Sequence, residues 1–390
     1  MINNKKLNVC IAAPTMPPLT GGAETFAETL TITLCKLNYV VHLITAEQPR
    51  EIVQKLVKLN KGSITLLGST FDSCDGYVGW EWAMFSRAEC IHKIISKYRV
   101  DIIHALSHDT LLSTAIALKG ISIPPKLVLT TCEMSTEDTP FGLGRSRFIY
   151  NLSIDGLLQI SQYYIDIAKT HGCKARNIGI AAAVDDILFT SGNKEKGQRL
   201  LQLEDNTILI SCPSRFSRRK GQLDLIEAIE KLPESIKNKI TCLLAGSVNS
   251  ASNKYLDEIK EKATNAGFKI IILEIERENM PHILKCSDIV VLPSYKEGLG
   301  FSAIESMLVG CPVVLYNVSG FDEIPDKGDE VVFVPVGNVN ALTDELQILI
   351  SQPDLRMELS EKGKKLAMKK FSQETFANKV HEFYQQVTIS

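Results

Sequence analysis

The sequence predicts an α/β protein built from two Rossmann-like domains that face a cleft. The chain has 390 residues, which exceeds the size of one typical domain. Short apolar runs alternate with stretches of helical periodicity in both halves of the chain. This alternation lapses once, in a polar and glycine-bearing stretch, and then restarts. We therefore predict a first domain over residues 1–185, a linker over 186–206, a second domain over 207–370 and a terminal helix over 371–390.

Seven apolar runs in the first half have the length and composition of buried parallel strands. Between the first two runs, apolar side chains recur with a 3.6-residue period from Ala23 to Leu37, which predicts a helix. Helical spacing returns at 82–97 and 110–118. The predicted strands are residues 7–13, 40–45, 64–67, 101–105, 126–131, 156–160 and 178–182.

The second half repeats this order of strand and helix. Helical spacing is found at 221–231, 252–266 and 301–309, and the final stretch, 354–388, is helical and heavily charged. The predicted strands are residues 207–212, 239–245, 269–273 and 288–292.

Composition excludes several classes of protein. The chain is 45% hydrophobic and 23% charged, with a formal net charge of −2, as in soluble globular proteins. No run approaches the ~20 apolar residues of a membrane span. The first residues lack the apolar region of a signal peptide, so we expect a cytoplasmic location. Residues 1–190 carry 18 Lys and Arg against 17 Asp and Glu, and neither half is basic, which argues against a nucleic-acid partner.

The ten cysteines are scattered, and no two stand at Cys-x-x-Cys spacing. This pattern indicates neither a zinc site nor a disulfide framework. Several cysteines fall within apolar strand patterns, where the side chain behaves as a small buried hydrophobe. We therefore expect reduced packing residues.

The most informative segment lies near residue 300 and places two carboxylates either side of seven residues. An apolar run at 288–292 predicts a strand, Glu-Gly-Leu-Gly at 297–300 a turn, and residues 301–309 a helix. Glu297 then lies at the carboxyl end of a strand, where open α/β sheets bind ligands, and Glu305 lies about one turn into the helix. Carboxylates, turn amides and a helix N-terminus suit a sugar or a phosphate. Taken alone, such a unit with two exposed glutamates is also common in α/β proteins.

The whole segment 293–313 resembles the Glu-x7-Glu signature of retaining glycosyltransferases with the GT-B fold, especially glycosyltransferase family 4 (glycosyl transferases group 1). The match includes both acids, both turn glycines and the closing Gly-x-Pro-Val. The resemblance implies that the second domain binds a nucleotide-sugar donor and the first domain an acceptor. It also implies that the terminal helix crosses back to the first domain.

Roles in donor binding follow from the same resemblance. Glu305 should take the ribose hydroxyls, and backbone around Glu274 to Glu276 should meet the base. Glu297 should take the sugar hydroxyls together with the amides of Gly298, Leu299 and Gly300.

A basic motif follows the strand at 207–212. Residues 215–221 read Arg-Phe-Ser-Arg-Arg-Lys-Gly, and an arginine fork with a lysine at a helix start suits the charges of a diphosphate. A charge run is more often a solvated turn. Arg215 and Lys220 fall at the Arg-x4-Lys-Gly spacing of the resembled family, which implies that they neutralise the leaving diphosphate.

Gly21 and Gly22 join the first strand to its helix. A glycine pair at a helix N-terminus lets backbone N–H groups approach an anion closely. A plain tight turn gives the same pattern, and the Gly-x-Gly-x-x-Gly fingerprint of dinucleotide-binding proteins is missing. In the resembled family, Gly-Gly-x-Glu at this place reaches the donor diphosphate or the acceptor.

The chain departs from the family pattern at two positions. Relatives often place a histidine near the reacting sugar where residues 131–133 here read Thr-Cys-Glu, so either Glu133 or His108 is a candidate for that role. His104 and His108 lie at a strand end that should face the cleft, where they either orient hydroxyls or cap the strand. The usual Pro-Asn-Gly-Val-Asp is replaced by Ala-Ala-Ala-Val-Asp at 181–185, which leaves the donor contact there open.

The resemblance implies transfer of a hexose-type sugar, with retention, from a nucleotide sugar such as UDP-GlcNAc or UDP-glucose to an acceptor hydroxyl. The chain contains no Asp-x-Asp, the motif that holds a metal ion in other sugar transferases. Arg215 and Lys220 can stabilise the leaving group instead, so we expect no metal and no cofactor beyond the nucleotide-sugar co-substrate. The first domain is not basic, which favours a soluble sugar, a polysaccharide precursor or a natural-product aglycone as acceptor.

Two hypotheses from other classes remain open. A sugar-nucleotide epimerase or isomerase on the same scaffold would need a base at a sugar carbon, which makes His108 or Glu133 essential. A non-catalytic nucleotide-sugar binder would explain the departures at 132–133 as lost activity. A phosphorylase that uses pyridoxal phosphate is less consistent with the length of the chain.

Overall fold

Two parallel sheets, each with its own helices, form the framework of the protein. The computed structural model describes residues 6–17, 22–67, 79–131, 142–247 and 253–389. Contacts divide the chain into unit 1, which comprises Met1–Ala183 and Gln373–Ser390, and unit 2, which comprises Val184–Ser372.

Unit 1 contains a seven-stranded sheet in which every described pair of neighbouring strands is parallel. The strand order β3-β2-β1-β4-β5-β6-β7 reverses direction between β1 and β4, as in Rossmann folds. The strands are β1 (Asn8–Ala12), β2 (Val40–Thr45), β3 (Ser63–Leu66), β4 (Ile102–Ala105), β5 (Lys126–Leu129), β6 (Gly156–Gln159) and β7 (Asn177–Ile180).

The helices of unit 1 connect these strands and bury apolar side chains from the sheet. Ile103, Leu129 and Leu157 from neighbouring strands pack with Leu111 and Ile165 from helices in one buried cluster. The helices are α1 (Gly22–Lys36), α2 (Glu51–Leu59), α3 (Gly79–Lys97), α4 (His108–Ala117), α5 (Gly142–Tyr150) and α6 (Gln162–Thr170), and the terminal helix α16 (Gln373–Ile389) also belongs to this unit.

Unit 2 contains a six-stranded parallel sheet in the order β10-β9-β8-β11-β12-β13. The central strands are buried on both faces, which suits their apolar, β-branched sequences. The order reverses between β8 and β11. The strands are β8 (Ile208–Pro213), β9 (Ile240–Ala245), β10 (Lys269–Leu273), β11 (Ile289–Leu292), β12 (Val313–Tyr316) and β13 (Val332–Val334).

The helices of unit 2 lie before the first of these strands, between them and after the last. A short 3-10 helix, Arg218–Lys220, follows β8. The α-helices are α7 (Asp186–Thr190), α8 (Lys194–Leu201), α9 (Gln222–Glu230), α10 (Glu234–Lys237), α11 (Asn253–Thr264), α12 (Met280–Cys286), α13 (Phe301–Val309), α14 (Val339–Ser351) and α15 (Pro353–Phe371).

The structure differs from the predicted linker at residues 186–206. This stretch forms the two helices α7 and α8, and both belong to unit 2. The two glycines that suggested a flexible connection approach the α12 segment closely: a Cβ at Gly192 would lie 2.6 Å from the Pro281 carbonyl oxygen, and one at Gly197 would lie 2.1 Å from that of His282. Glycine here permits close helix packing.

The terminal helical stretch is divided at Ser372, where α15 ends and α16 begins. The α16 helix packs on β6 and β7, where Gly156 and Gly179 leave room for the ring of Phe383. No helix in the described ranges is long and apolar enough to cross a membrane.

Candidate functional site

The candidate site lies in unit 2, at the carboxyl ends of β8 and β11. These strands are neighbours where the strand order reverses, which is the place where open α/β sheets bind ligands. The loop after β8 carries the Arg215–Gly221 motif, and the loop after β11 carries the segment from Glu297 to Gly300. Parallel strands end at the same edge of a sheet, so the two motifs meet there.

Lys220 and Glu297 form an ion pair across these two loops. Their side chains are 14% and 12% exposed, so the pair is largely withdrawn from solvent. The family resemblance implies that Lys220 binds a diphosphate and Glu297 sugar hydroxyls, and the structure brings these two side chains together. An ammonium with two further N–H donors and a carboxylate with a second oxygen can both bind a ligand while they remain paired.

Close packing of the loops fixes this pair. Gly221 has a positive φ of 65°, and a Cβ at this position would lie 2.0 Å from the Pro293 carbonyl oxygen. The Tyr295 amide donates a hydrogen bond to the Arg219 carbonyl at 2.8 Å. Only glycine at position 221 allows the two backbones to approach this closely.

The turn before α13 also requires glycine. Gly300 has a φ of 83°, and a Cβ there would lie 2.1 Å from the ring of Phe321. Gly298 and Leu299 are buried beside it, with Leu299 only 3% exposed. The turn thus directs the N-terminus of α13, a nine-residue helix, towards the edge of the sheet that carries Glu297.

Arg215 is not part of the ion pair. Its side chain is exposed and forms no ion pair with any residue that the structure describes. Its backbone is held firmly, because Gln222 Nε2 donates hydrogen bonds to the Arg215 carbonyl and to Ser214 Oγ, each at 3.0 Å. The guanidinium is therefore a solvent-exposed cation at the rim of the site, on a fixed backbone.

Glu305 lies in the second turn of α13 and is 9% exposed. Its Oε1 accepts a hydrogen bond from Arg277 Nη1 at 3.1 Å, in an ion pair that the sequence did not predict. Burial raises the pKa of the Glu305 carboxyl, Arg277 opposes this shift, and Asp185 adds to it. Arg277 is thus the cation that offsets the burial of this carboxylate.

Phe189, from the predicted linker, contacts Arg277 of this second pair, and Asp185, the last residue of the predicted first domain, acts on the charge of Glu305. The guanidinium of Arg277 lies over the ring of Phe189, 5.4 Å from its centroid, and Phe189 is fully buried. Asp185 caps α7 by accepting a hydrogen bond from the Leu188 amide at 3.0 Å. The one sequence signal that could have identified Arg277 as a site residue is its position in the acidic loop that precedes α12. No sequence signal identified Phe189.

Glu276 stands next to Arg277 and is exposed. Its carbonyl accepts hydrogen bonds from the amides of Asn279 at 3.0 Å and Met280 at 3.2 Å, which begin α12. These hydrogen bonds fix the backbone at the point where the resemblance implies a contact with the base of the donor.

The predicted residues of unit 1 are described only in part. Gly21 and Glu133 lie outside the described residues, and Gly22 is the first residue of α1. His108 begins α4 and is 4% exposed, with its ring edge-on to that of Tyr150 at a centroid distance of 5.3 Å.

His104 does not face an open edge of the sheet. It is fully buried, its Nδ1 lies 2.7 Å from the Tyr384 hydroxyl, and its Nε2 lies 2.7 Å from Thr130 Oγ1. Burial lowers the pKa of His104 to about 3, so the ring is neutral at physiological pH. It ties β4 to β5 and to α16 as a packing residue.

The described part of the chain contains no group of three or more His, Cys, Asp or Glu side chains that could hold a metal ion. The charged groups at the candidate site are two ion pairs, Lys220–Glu297 and Arg277–Glu305, together with Arg215. Such a set offers cations to phosphate oxygens and carboxylate oxygens to hydroxyl groups.

Comparison with known proteins shows that residues 193–366 match the family model of glycosyl transferases group 1. Similar curated proteins include D-inositol 3-phosphate glycosyltransferase from Corynebacterium jeikeium, 27% identical over 222 residues that cover 55% of this chain and 52% of that protein. Alpha-D-kanosaminyltransferase from Streptomyces kanamyceticus is 25% identical over 193 residues, covering 48% and 47%. These matches span about half the length of the curated relatives.

Solved structures match nearly the whole chain. A glycosyltransferase from Rickettsia africae superposes with a TM-score of 0.79 at 21% identity, covering 98% of each chain. Anabaena HepE in complex with UDP and glucose gives 0.79 at 19% identity, covering 97% of this chain and 99% of that one. Sucrose-phosphate synthase from Thermosynechococcus elongatus gives 0.82 at 18% identity, covering 98% and 99%. At these identities the likeness establishes the fold.

Proposed function

We propose that the protein is a glycosyltransferase, because residues 193–366 match the glycosyl transferases group 1 family and the chain has the GT-B fold. It transfers a hexose-type sugar from a nucleoside diphosphate sugar to an acceptor hydroxyl, with retention and without a metal ion. The donor is a UDP-sugar such as UDP-glucose or UDP-GlcNAc, and the acceptor is a soluble sugar, a polysaccharide precursor or a natural-product aglycone.

The observation that carries this proposal is the Lys220–Glu297 ion pair at the strand-order reversal of unit 2. Departure of a nucleoside diphosphate places new negative charge on a phosphate oxygen. Lys220, the N-terminus of α13 and the rim cation Arg215 are positioned to stabilise that charge. Glu297 accepts hydrogen bonds from sugar hydroxyls and orients the transferred sugar beside the diphosphate.

In this mechanism the protein supplies binding and charge stabilisation. The leaving phosphate takes the proton of the acceptor hydroxyl on the face from which it departs, which keeps the anomeric configuration. Glu297 is already paired with Lys220, so the carboxylate is fixed before the donor arrives and little reorganisation is needed. The UDP and glucose in the Anabaena HepE structure support the choice of a uridine donor.

A thermal-shift experiment tests donor binding. UDP, GDP, ADP and their glucose conjugates are added to the full chain with and without EDTA. At about 100 times the Kd, a bound nucleotide should raise Tm by about 5 °C or more, and EDTA should not change the shift. Lys220→Met should abolish the shift, whereas Lys231→Met should retain it, because Lys231 follows α9 and forms a solvent-exposed pair with Glu227.

A product assay then tests the reaction. Donor alone should remain unaltered apart from slow hydrolysis, and an added acceptor should gain the sugar. Conversion of the donor to an isomer would instead establish an epimerase, and nucleotide binding without transfer to any acceptor in a broad panel would favour a binder. Absence of any nucleotide-induced shift would overturn the proposed donor site.

A further inference from the structure

We propose that Arg277 is the positioning residue for Glu305, and that the two side chains together recognise the ribose diol of the donor nucleotide. The inference rests on the proposed function, because it deepens the assignment of the nucleotide site in unit 2. It adds a residue that lies in neither the Glu-x7-Glu segment nor the Arg215–Lys220 motif.

The contact between the two side chains leaves one hydrogen-bonding atom of each available. Arg277 Nη1 donates to Glu305 Oε1 at 3.1 Å. Arg277 Nη2 is buried and has no hydrogen-bond partner, and Glu305 Oε2 takes no hydrogen bond from any residue within the described ranges. The ion pair therefore retains one donor atom, on Arg277, and one acceptor atom, on Glu305, that no protein group in the described ranges uses. A pair of adjacent hydroxyls fits this arrangement, since one hydroxyl can donate to Oε2 and the other can accept from Nη2.

Arg277 is fixed from both ends, as a positioning residue must be. Its carbonyl accepts a hydrogen bond from the Met280 amide at 3.2 Å in the turn that begins α12. Its guanidinium lies over the buried ring of Phe189, with its central carbon 5.4 Å from the ring centroid. A planar fork held in this way keeps its direction, which a flexible lysine ammonium would not.

The charges around Glu305 explain why it needs this partner. Asp185 at the start of α7 disfavours the carboxylate, and burial does the same, whereas Arg277 favours it. The lysines of the neighbouring helices lie at the other end of α13: Lys285 donates to the Val309 carbonyl at 2.9 Å, and Lys364 lies near Gly310. Arg277 is therefore the cation that favours the ionised form of Glu305, which accepts hydrogen bonds from hydroxyl groups.

The test compares ribonucleotides with 2′-deoxynucleotides on the full chain. Binding of UDP, GDP and ADP and of their 2′-deoxy forms is measured by calorimetry for the wild type, Arg277→Met and Arg277→Lys. Arg199→Met is the matched control, since Arg199 is an exposed arginine on α8. The wild type and the control should bind the preferred ribonucleotide about tenfold or more tightly than its deoxy form.

Arg277→Met should reduce this ribose preference to about twofold or less, and Arg277→Lys should restore part of it. A second readout separates positioning from general loss of structure. Binding that needs an ionised Glu305 is lost as pH falls through its pKa, so removal of Arg277 should move the midpoint of the affinity–pH profile to higher pH. Circular dichroism and Tm establish that each variant is folded.

If folded Arg277→Met binds UDP with an unchanged ribose preference and an unchanged pH midpoint, the inference is wrong. Binding of UDP in that experiment would still support the nucleotide site of the proposed function. Lack of binding of every nucleotide to the wild type would overturn the proposed function and, with it, this inference.

Discussion

At the scale of single residues, charge and glycine geometry decide the arrangement of the candidate site. Lys220 with Glu297 and Arg277 with Glu305 are partly buried pairs, and each pair joins segments that are distant in sequence. A buried charge without its partner is costly, so these pairs hold each other in place. The turn glycines then determine where the carboxylates can stand.

Gly300 should tolerate no side chain. Gly300→Ala places a Cβ 2.1 Å from the Phe321 ring at a φ of 83°, so we expect a loss of about 2 to 4 kcal/mol in the free energy of unfolding. Gly328 is a matched control, because its φ is 86° but no atom lies within 4 Å of its Cβ position. Gly328→Ala should cost only about 1 to 2 kcal/mol, from backbone strain alone. Urea unfolding measures both, and equal losses would refute the packing argument.

Glu305 should make stability depend on pH with a sign opposite to that of most carboxylates. Its folded-state pKa is raised above the ordinary value of 4.5, so the folded protein binds this proton more tightly than the unfolded chain does. The stabilisation from this group is complete below about pH 4.5 and is lost as pH rises through the folded pKa. The free energy of unfolding of the wild type minus that of Glu305→Gln should therefore fall between pH 4 and pH 7. A difference that rises over this range would contradict the assignment.

At the scale of elements, the predicted strands and most predicted helices lie within a few residues of their observed ends. The 301–309 helix and the strands at 40–45 and 269–273 have the predicted bounds. These elements are set by local apolar periodicity, which a sequence displays directly. The helices α7 and α8 were missed because both are short, Gly192 lies between them, and α8 is polar and contains Gly197, a composition that is typical of a linker.

Gly197 distinguishes a packed helix from a linker. In a flexible linker, Gly→Ala is neutral or stabilises by about 0.4 to 1 kcal/mol. In the α8 helix the new Cβ would lie 2.1 Å from the His282 carbonyl oxygen and 2.7 Å from Cys286 Sγ, so we expect a loss of about 1 to 3 kcal/mol. Gly267→Ala serves as control, because its nearest neighbour is the Lys237 ammonium at 3.7 Å. Chemical denaturation measures the free energy of unfolding of both variants. An equal effect of the two substitutions would contradict the close packing of Gly197.

At the scale of the whole molecule, the two units differ in how the chain builds them. Unit 2 is one continuous stretch, Val184–Ser372, whereas unit 1 is completed by α16 from the end of the chain. The α16 helix buries five side chains against unit 1, and its Tyr384 hydroxyl lies 2.7 Å from His104. The buried side chains are Phe376, Val380, Phe383, Tyr384 and Val387.

This difference predicts how fragments behave. Each buried apolar side chain of α16 contributes about 1.5 to 3 kcal/mol, and the five together match the whole stability of a typical domain. A fragment of residues 184–372 should therefore unfold cooperatively, whereas a fragment of residues 1–183 should lack a cooperative transition. Circular dichroism during urea titration measures both. A cooperative 1–183 fragment would show that α16 is dispensable for unit 1.

The sequence by itself determined the fold class, the alternation of strands and helices, and the residues that line the edge of the unit 2 sheet. These features depend on patterns within about twenty residues, where side-chain type and spacing act directly. The tertiary structure alone decided that Lys220 pairs with Glu297, that Arg277 supports Glu305, and that His104 is buried against Thr130 and Tyr384. Such contacts depend on strand order and helix packing, which bring together residues separated by up to 280 positions. No local pattern specifies those neighbours, because the free energy that selects them arises only when the elements pack.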